Sequence, residues 1–371
     1  MRAGVGHAAV LCRRVLHSLY GPPRSPRCPN RWQFADSFVA LAFRWLDVPG
    51  MSTIRTAWLA ADGLTSVLEA DLAWRGVTID RWHGRLALSS SKPVYSPWAL
   101  DIWLDPQVTE ITSIRNAADT LRAIQRNWSL YTIDHFRRTA LITDKLPPVK
   151  AAPLVFPTLP PTSPLGAWTL LDTNTLLFSA RKTSPFVNGA PQFVENRTGP
   201  PSRAYLKLWE ACTRLGRWPT PEERCYDLGA TPGGWTWAIA NLGAQVTAFD
   251  RAPLDPKVAA MPGVSFQQAS AFGLEPEKLP AVDWMFSDII AYPQRLLRLT
   301  QNWIASGNTD NIVLTVKFQG ETDHEIVAAF EAIPGGSLAH LAHNKHELTF
   351  FWNKTAAAEN RPTLAGTNLT Q

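Results

Sequence analysis

A glycine-rich segment in the C-terminal half of the chain constrains its fold most. The segment is Asp227-Leu228-Gly229-Ala230-Thr231-Pro232-Gly233-Gly234-Trp235. Its pattern predicts the end of a buried strand, a tight turn and the start of a helix. We expect Gly229 to let the strand turn, and Gly233 and Gly234 to let a ligand approach the backbone at the helix N-terminus. The dinucleotide fingerprint G-x-G-x-x-G is absent, so the turn alone does not specify the ligand.

Strand and helix patterns alternate around this turn. Strands are predicted over 226–228, 246–250, 264–268, 282–288 and 311–317, and helices over 235–242, 293–305 and 321–332. This order is typical of a doubly wound, mostly parallel sheet in an α/β fold of Rossmann-like type. Segments 337–343 and 347–352, joined by a tight turn, predict a closing antiparallel hairpin. We therefore expect a Rossmann-like domain over 201–354 and a flexible tail over 355–371.

The region before this domain has a different pattern. The order strand, helix, strand, strand, helix over 51–146 predicts a small α+β domain of ferredoxin-like type. Seven prolines fall between 147 and 164, which favours a stiff linker within 147–200. The predicted second helix, 113–127, carries arginines on one face, and two more follow it. These arginines form either a solvated surface or a phosphate-contacting patch for RNA, and they are Arg115, Arg122, Arg126, Arg137 and Arg138.

The net charge of +5 is concentrated at the N-terminus. Residues 1–50 hold seven arginines, no lysine and two aspartates, which accounts for the whole excess. Three interpretations remain open: a transit peptide, a basic arm for nucleic acid, or an N-terminal extension upstream of a true start at Met51. We favour the mis-assigned start. Because the rest of the chain is neutral overall, a nucleic-acid partner must meet a local patch.

Three ionisable residues are predicted at the carboxyl ends of parallel strands, where ligands of such sheets bind. Asp250 ends one strand and could accept both hydroxyls of a ribose. Asp288 and Lys317 end two neighbouring strands about 5 Å apart, so they can touch. They form either a simple ion pair or, in a partly desolvated cleft, a pair that includes a lysine base. The four cysteines show no metal-ligand spacing, so no metal is expected and a reducing cytoplasm fits.

The C-terminal half resembles the FtsJ/RrmJ-like ribose 2′-O-methyltransferases, which use a Lys-Asp-Lys-Glu tetrad. The segment Pro200-Pro201-Ser202-Arg203-Ala204-Tyr205-Leu206-Lys207 is also similar to the narrower RlmM type, which methylates a cytidine ribose of 23S ribosomal RNA. That type joins a THUMP-type RNA-binding region to the methyltransferase, so the resemblance implies a reduced THUMP-like region within 147–200. The resemblance is specific over 185–354 and loose over 51–184.

The resemblance implies S-adenosylmethionine as methyl donor and a catalytic tetrad. Lys317 would be the general base, Asp288 would orient it and face the methionine end of the cofactor, and Lys207 and Glu347 would position the ribose. The implied cofactor-binding residues are Thr231, Pro232, Gly233, Gly234, Trp235, Asp250, Ser270 and Asp288.

Three positions depart from the family pattern. Thr231 stands where a cysteine is usual, Ser270 where an adenine-contacting aspartate is expected, and Ala204 where a serine is expected. The expected partner is RNA, not DNA or a membrane. A non-catalytic RNA-binding protein that retained the fold remains an alternative, as does a nicotinamide-dependent oxidoreductase, which would explain Asp250 but not the terminal hairpin.

Overall fold

The computed structural model describes residues 53–149, 151–364 and 369, which all belong to one unit, Val48–Gln371. The predicted extension over residues 1–50 lies outside the described residues. We use "N-terminal region" for residues 53–199 and "C-terminal domain" for residues 200–364. Within the described residues no helix is long and apolar enough to span a bilayer.

The N-terminal region contains two sheets instead of one. Its elements are β1 (Thr56–Ala60), α1 (Thr65–Trp74), β2 (Arg81–His83), β3 (Leu86–Ser89), β4 (Ala99–Leu104), β5 (Gln107–Glu110), α2 (Ile114–Ile124), β6 (Trp128–Leu130), α3 (Phe136–Thr143), β7 (Gly166–Leu170), β8 (Thr175–Ser179) and β9 (Arg181–Lys182). The first sheet has the order β2-β3-β1-β4-β9, and the second has the order β5-β8-β7-β6. The first is antiparallel while the second is mixed, since β6 pairs in parallel with β7.

The second sheet is where the structure differs from the single α+β domain predicted over 51–146. Helix α1 packs on the first sheet through Leu68 and Leu72. Helix α2 instead buries Ala117 and Leu121 against the second sheet. Strands β7 and β8 fall after the predicted boundary, pair antiparallel with each other and complete the second sheet. The boundary predicted at residue 146 therefore does not separate two structural units.

The proline-rich segment leads along the C-terminal domain. Leu154 forms a parallel bridge with Phe193. The ring of Phe156 stacks on Trp209, with ring centroids 5.0 Å apart and planes 13° from parallel. Stacked aromatic rings bury large apolar area, so this linker is held by packing and not only by proline stiffness.

The C-terminal domain has one seven-stranded sheet with helices on its faces. Its elements are α4 (Tyr205–Leu215), β10 (Arg224–Leu228), α5 (Gly234–Ala240), β11 (Gln245–Asp250), α6 (Pro256–Ala259), β12 (Val264–Gln268), β13 (Val282–Ser287), α7 (Pro293–Ser306), β14 (Thr309–Lys317), α8 (His324–Glu331), β15 (Gly336–Ala339), β16 (Glu347–Asn353) and α9 (Lys354–Ala358). The strand order is β12-β11-β10-β13-β14-β16-β15.

This order confirms the predicted alternation and the closing hairpin. Strands β10 to β14 run parallel, while β16 pairs antiparallel with both β14 and β15. Local signals start and end the helices: Asp323 caps α8, Pro293 occupies the first turn of α7, and Gly307 ends α7 at φ 71°. The central strands read as apolar runs because helices cover both faces of the sheet.

The predicted frayed tail is packed as far as Leu364. Asn353 caps α9 by accepting from the Ala356 amide, and the Ala356 side chain is buried. Leu364 is also buried, and Thr363 Oγ1 donates to the carbonyl of Gly335 at 2.5 Å. The polar composition of this segment predicts a flexible end. The apolar contacts that bury Ala356 and Leu364 come from distant parts of the chain, so the local sequence does not reveal them.

The two regions meet at the fully buried side chain of Trp98. Its indole ring lies 5.5 Å from the ring of Phe318 and 5.3 Å from that of His346, between centroids. Nearby, the Tyr95 hydroxyl donates to the Leu338 carbonyl at 2.7 Å. Phe318 directly follows Lys317 and His346 directly precedes Glu347, so this contact supports the strand ends that carry two predicted site residues.

Candidate functional site

The carboxyl ends of four parallel strands place the predicted polar residues along one edge of the sheet. Leu228 at the end of β10 is in register with Phe249 of β11 and Ser287 of β13, and Ser287 is in register with Leu314 of β14. The glycine-rich turn, Asp250, Asp288 and Lys317 follow or end these strands. These residues reach one edge of the sheet because the strands run parallel and this register aligns their carboxyl ends.

Four ionisable side chains at this edge form one connected group. Asp288 Oδ1 lies 3.0 Å from Lys317 Nζ and 3.3 Å from Lys207 Nζ. Lys207 Nζ also lies 2.5 Å from Glu347 Oε1. Lys317 Nζ additionally donates to the backbone carbonyl of Asp288 at 2.5 Å. The sequence spaced these residues over 141 positions, and the structure brings all four together as predicted, while their chemical roles remain predictions.

The group is held by three different elements. Lys207 extends from α4, Lys317 ends β14, and Glu347 begins β16 directly opposite Lys317 in the antiparallel register. The four side chains expose only 7–18% of their area. Removing one member would leave a shielded charge without its partner, which costs far more than breaking a surface ion pair.

A second buried pairing fixes α4 against the turn that precedes Glu347. Glu210 Oε2 accepts from the Ala342 amide at 2.9 Å, and Arg214 Nη2 lies 2.8 Å from Glu210 Oε1. Burial by itself would raise the pKa of Glu210, but Arg214, His343 and the Ala342 amide outweigh it, so the pKa is lowered. Glu210 therefore stays ionised and connects the helix of Lys207 to the hairpin of Glu347.

The glycine turn has the predicted shape, and neighbouring protein atoms lie close to two of its glycines. Gly233 has φ 109°, and a Cβ there would lie 3.0 Å from Val258 Cγ1. A Cβ on Gly234 would lie 2.6 Å from Ser202 Oγ. Neighbouring protein atoms therefore occupy the space that a side chain would need at both positions, and the approach of a ligand to this turn stays a prediction.

Thr231 and Asp250 fix the turn to the neighbouring strand. Asp250 Oδ2 accepts from the Thr231 amide at 3.0 Å, and Oδ1 accepts from the Ala252 amide at 3.0 Å. The Thr231 hydroxyl donates to the Ala252 carbonyl at 2.7 Å. The threonine found where the family has cysteine thus has a structural use, because its hydroxyl joins two loops.

A cavity of about 570 Å³ lies along this edge. Eight predicted site residues line it: Thr231, Pro232, Gly234, Trp235, Asp250, Ser270, Asp288 and Lys317. Gly233, Lys207 and Glu347 do not line it; the two ionisable ones lie behind Asp288, in contact with it or with each other. The cavity therefore offers Asp288 and Lys317 to a ligand, while Lys207 and Glu347 hold Asp288 in place.

Asp227 is a cavity residue that the sequence analysis did not select as a site residue. It is the second-last residue of β10, is almost fully buried, and accepts from the Thr236 hydroxyl at 2.6 Å. Burial raises the pKa of Asp227 to about 7, and the nearby Asp288 and Asp250 carboxylates add to this. The available signal was a carboxylate two residues before Gly229, in a strand predicted to be buried.

The other two positions that depart from the family pattern, Ser270 and Ala204, also line the cavity. Ser270 lines it between Ala269 and Ala271, so this part of the wall carries no carboxylate. Ala204 lines it too, and its carbonyl accepts from Trp235 Nε1 at 2.9 Å. Several other lining residues that the sequence analysis missed lie after strands β12 and β13, and they include Phe272, Ile290, Tyr292 and Arg295.

The predicted arginine patch of the N-terminal region is partly paired. Arg122 forms an ion pair with Asp119, and Arg115 Nε lies 3.7 Å from the same carboxylate. Arg138 donates to the Asn174 side chain at 3.4 Å. Arg126 and Arg137 are exposed. The patch thus keeps some positive charge for a partner, but exposed pairs with Asp119 reduce it.

Comparison with known proteins gives matches that include the C-terminal domain. Residues 200–329 match the family model of FtsJ-like methyltransferases. A relative named ribosomal RNA large subunit methyltransferase M from Halorhodospira halophila is 37% identical over 185 residues, which cover 47% of this chain and 53% of the relative. One of the same name from Marinobacter nauticus is 31% identical over 208 residues, covering 49% and 56%.

The chain spans about half the length of the curated relatives it matches. Among solved structures it is similar to a fibrillarin pre-rRNA processing protein from Methanococcus jannaschii, at 16% identity and a TM-score of 0.29, covering 40% of this chain and 74% of that one. At that score the fold assignment depends on the strand order and the family match, not on the structural likeness.

Proposed function

Because residues 200–329 form an FtsJ-like methyltransferase domain, we propose that this protein transfers a methyl group from S-adenosylmethionine to a ribose 2′-hydroxyl of RNA. The observation that carries the proposal is the connected group of Lys207, Asp288, Lys317 and Glu347 at the edge of the cavity. The domain assignment alone supports methyl transfer; the two lysines and two carboxylates support a hydroxyl as the acceptor.

The cavity fits the cofactor in volume and in its polar groups. Pockets for ligands of this size enclose about 300–1,000 Å³, and this one encloses about 570 Å³. Asp250 would hold the ribose hydroxyls, the turn from Thr231 to Trp235 would border the cofactor, and Ser270 would lie at the adenine end. When bound, the cofactor supplies a methyl group on a positively charged sulfur, which is already a strong electrophile.

The protein's own residues would position the hydroxyl and remove its proton. Lys317, in its neutral form, would accept the 2′-hydroxyl proton on Nζ. Asp288 would hold that amine through the 3.0 Å contact and then stabilise the ammonium that forms. Lys207, held by Glu347, would keep Asp288 in place, so these two residues would position the ribose through Asp288. Positioning of this kind supplies up to about 7–11 kcal/mol of barrier reduction.

The finer substrate assignment follows the relatives. Their name refers to RNA of the large ribosomal subunit, and we propose that a cytidine of 23S ribosomal RNA is the acceptor, modified in the cytoplasm. The N-terminal region, with its exposed Arg126 and Arg137, would contribute RNA contacts in a THUMP-like manner. Mapping of ribose methylation in ribosomal RNA from cells with and without the gene tests this assignment directly.

Substitution of Lys317 tests the reaction itself. We expect Lys317→Ala to lower transfer of tritiated methyl groups to ribosomal RNA by at least about 10²-fold, because base catalysis typically contributes 10²–10⁴-fold. Calorimetry with S-adenosylmethionine should show binding by the variant, and no binding of NAD by either protein.

The matched control is Lys354→Ala. Lys354 pairs with Asp310 at the opposite end of β14, far from the carboxyl edge of the sheet. This variant should keep wild-type activity. Near-wild-type turnover in Lys317→Ala would contradict the base assignment, and cofactor binding by the wild-type protein without any transfer would favour the non-catalytic RNA-binding alternative.

A further inference from the structure

Helix α7 presents two exposed arginines beside the mouth of the cavity. Arg295 and Arg298 are three residues apart, so their side chains lie on the same face of the helix. Among the described residues, neither has a carboxylate within ion-pair distance. The Arg295 guanidinium instead lies over the ring of Phe272, 3.9 Å from its centroid. Two unneutralised cations on one exposed face are a natural site for anionic groups.

The arginines line a groove that continues from the main cavity. The groove has a volume of about 250 Å³ and is lined by residues that include Pro276, Arg298 and Asn302. Phe272 and Arg295 line both the groove and the main cavity, so the two spaces adjoin. Among the residues that the structure describes, no aspartate or glutamate lines the groove. Glu275, at its rim, is paired with Lys278 at 2.6 Å.

The segment between Asp288 and α7 adds two exposed apolar side chains. Ile290 is 75% exposed and Tyr292 is 66% exposed, and both line the main cavity. Tyr292 directly precedes α7, so its ring is continuous with the arginine face. An exposed aromatic ring next to a positively charged groove is the combination that binds single-stranded nucleic acid, through base stacking and phosphate contacts.

From this placement we propose that the RNA strand carrying the acceptor ribose leaves the cavity along α7. A base adjacent to the reacting ribose would stack on Tyr292, and the following phosphates would contact Arg295 and Arg298. This inference rests on the proposed ribose methylation, but it assigns a surface that the reaction itself does not require. RNA fits better than a free phosphate because the cations, the ring and the groove extend in sequence from the proposed reaction site.

Binding of a fluorescent single-stranded oligocytidylate, measured by anisotropy over a salt series, tests the surface without chemistry. Each phosphate contact in single strands contributes about 0.7 to the slope of log K against log salt. The double variant Arg295→Ala/Arg298→Ala should therefore bind about tenfold more weakly and lose about 1.4 from the slope. The control Arg361→Ala removes an exposed arginine that pairs with Glu359 and should change neither value.

Tyr292 variants test the stacking contact. Tyr292→Ala should weaken oligocytidylate binding by about tenfold, since base stacking on an aromatic side chain is lost. Tyr292→Phe keeps the ring and should bind like the wild-type protein. Equal binding by both variants and the wild type would overturn the stacking assignment.

Steady-state kinetics separates this inference from the proposed function. Arg298 lines the groove but not the main cavity, so Arg298→Ala should raise KM for ribosomal RNA several-fold and leave kcat within about twofold. Unchanged KM and salt slope in an active enzyme would overturn the RNA path. If the wild-type protein binds RNA through these arginines but transfers no methyl group, the path stands and the proposed function fails.

Discussion

Asp227 is a buried carboxyl group at the head of the glycine-rich turn, and its chemistry depends on its surroundings. It has one hydroxyl donor, Thr236, and no cation among the contacts found for it in the described residues. Its pKa of about 7 lies above the ordinary value of 3.8, first because of burial and then because Asp288 and Asp250 are near. A carboxyl group of this kind is protonated for part of the physiological range.

This pKa predicts a dependence of stability on pH. Between about pH 4 and 7 the folded protein keeps a proton on Asp227 that the unfolded chain has already released. This residue's contribution to the free energy of unfolding therefore falls as pH rises through that window. Asp227→Asn removes the titration and keeps an acceptor for Thr236. We expect the variant's stability relative to wild type to rise from pH 4 to 7, by at most about 4 kcal/mol, and then to level off.

Urea denaturation at several pH values measures this difference. A stability difference between the two proteins that does not change with pH would contradict the raised pKa of Asp227. Because Asp227 lines the cavity, the same urea series also tests the protonation state of a carboxyl group in the cavity wall.

At the scale of elements, the turn between β10 and α5 combines a backbone requirement with a packing requirement. Gly229 has φ 72°, and a Cβ there would lie 2.8 Å from Ile289 Cβ and Cγ1. Ile289 follows Asp288, so the two loops at the carboxyl edge pack directly on each other. This close approach fixes the distance between the glycine turn and the proposed catalytic group.

Gly63 provides a matched control for that requirement. It also has φ 72°, but a Cβ there would meet nothing within 4 Å. We expect Gly63→Ala to cost about 1–2 kcal/mol of stability for the left-handed backbone alone. Gly229→Ala should cost about 1–3 kcal/mol more because of the overpacking against Ile289. Chemical denaturation measures the free energy of unfolding of both variants. Equal losses in the two variants would contradict the packing requirement at Gly229, since they would show that the two loops can move apart without cost.

At the scale of the whole molecule, the N-terminal region supports the site as well as being a candidate for RNA contact. The buried ring of Trp98 packs on Phe318 and His346, next to Lys317 and Glu347. The Phe318 amide donates to the His346 carbonyl at 3.2 Å, which continues the β14–β16 pairing to the edge. The geometry of the proposed catalytic group thus depends on a residue about 220 positions away from Lys317.

Two tryptophan variants separate this support from general stability. Trp98→Ala and Trp168→Ala each remove a fully buried ring, so each should lower the free energy of unfolding by about 3–5 kcal/mol. Trp168 belongs to the core of the second sheet, remote from the C-terminal domain. At a temperature where both variants are folded, Trp98→Ala should lower kcat for methyl transfer at least several-fold, and Trp168→Ala should not. Equal kcat values would refute the support by Trp98.

The sequence by itself determined the alternation of strands and helices, the closing hairpin and the meeting of Asp288 and Lys317 at the sheet edge. These follow from local periodicity and from one rule of parallel sheets: strand ends such as those before Asp288 and Lys317 meet at the same edge. The resemblance added Lys207 and Glu347, which local pattern alone does not connect to that edge.

Only the tertiary structure decided the second sheet of the N-terminal region, the raised pKa of Asp227, the packing of Trp98 and the placement of Tyr292, Arg295 and Arg298 along the cavity and its adjoining groove. Each depends on contacts between segments far apart in the chain. Local sequence records whether a side chain is apolar or charged, but not which distant atoms surround it. The sequence shows which residues are present, and the atoms packed around each residue in the fold determine properties such as its pKa.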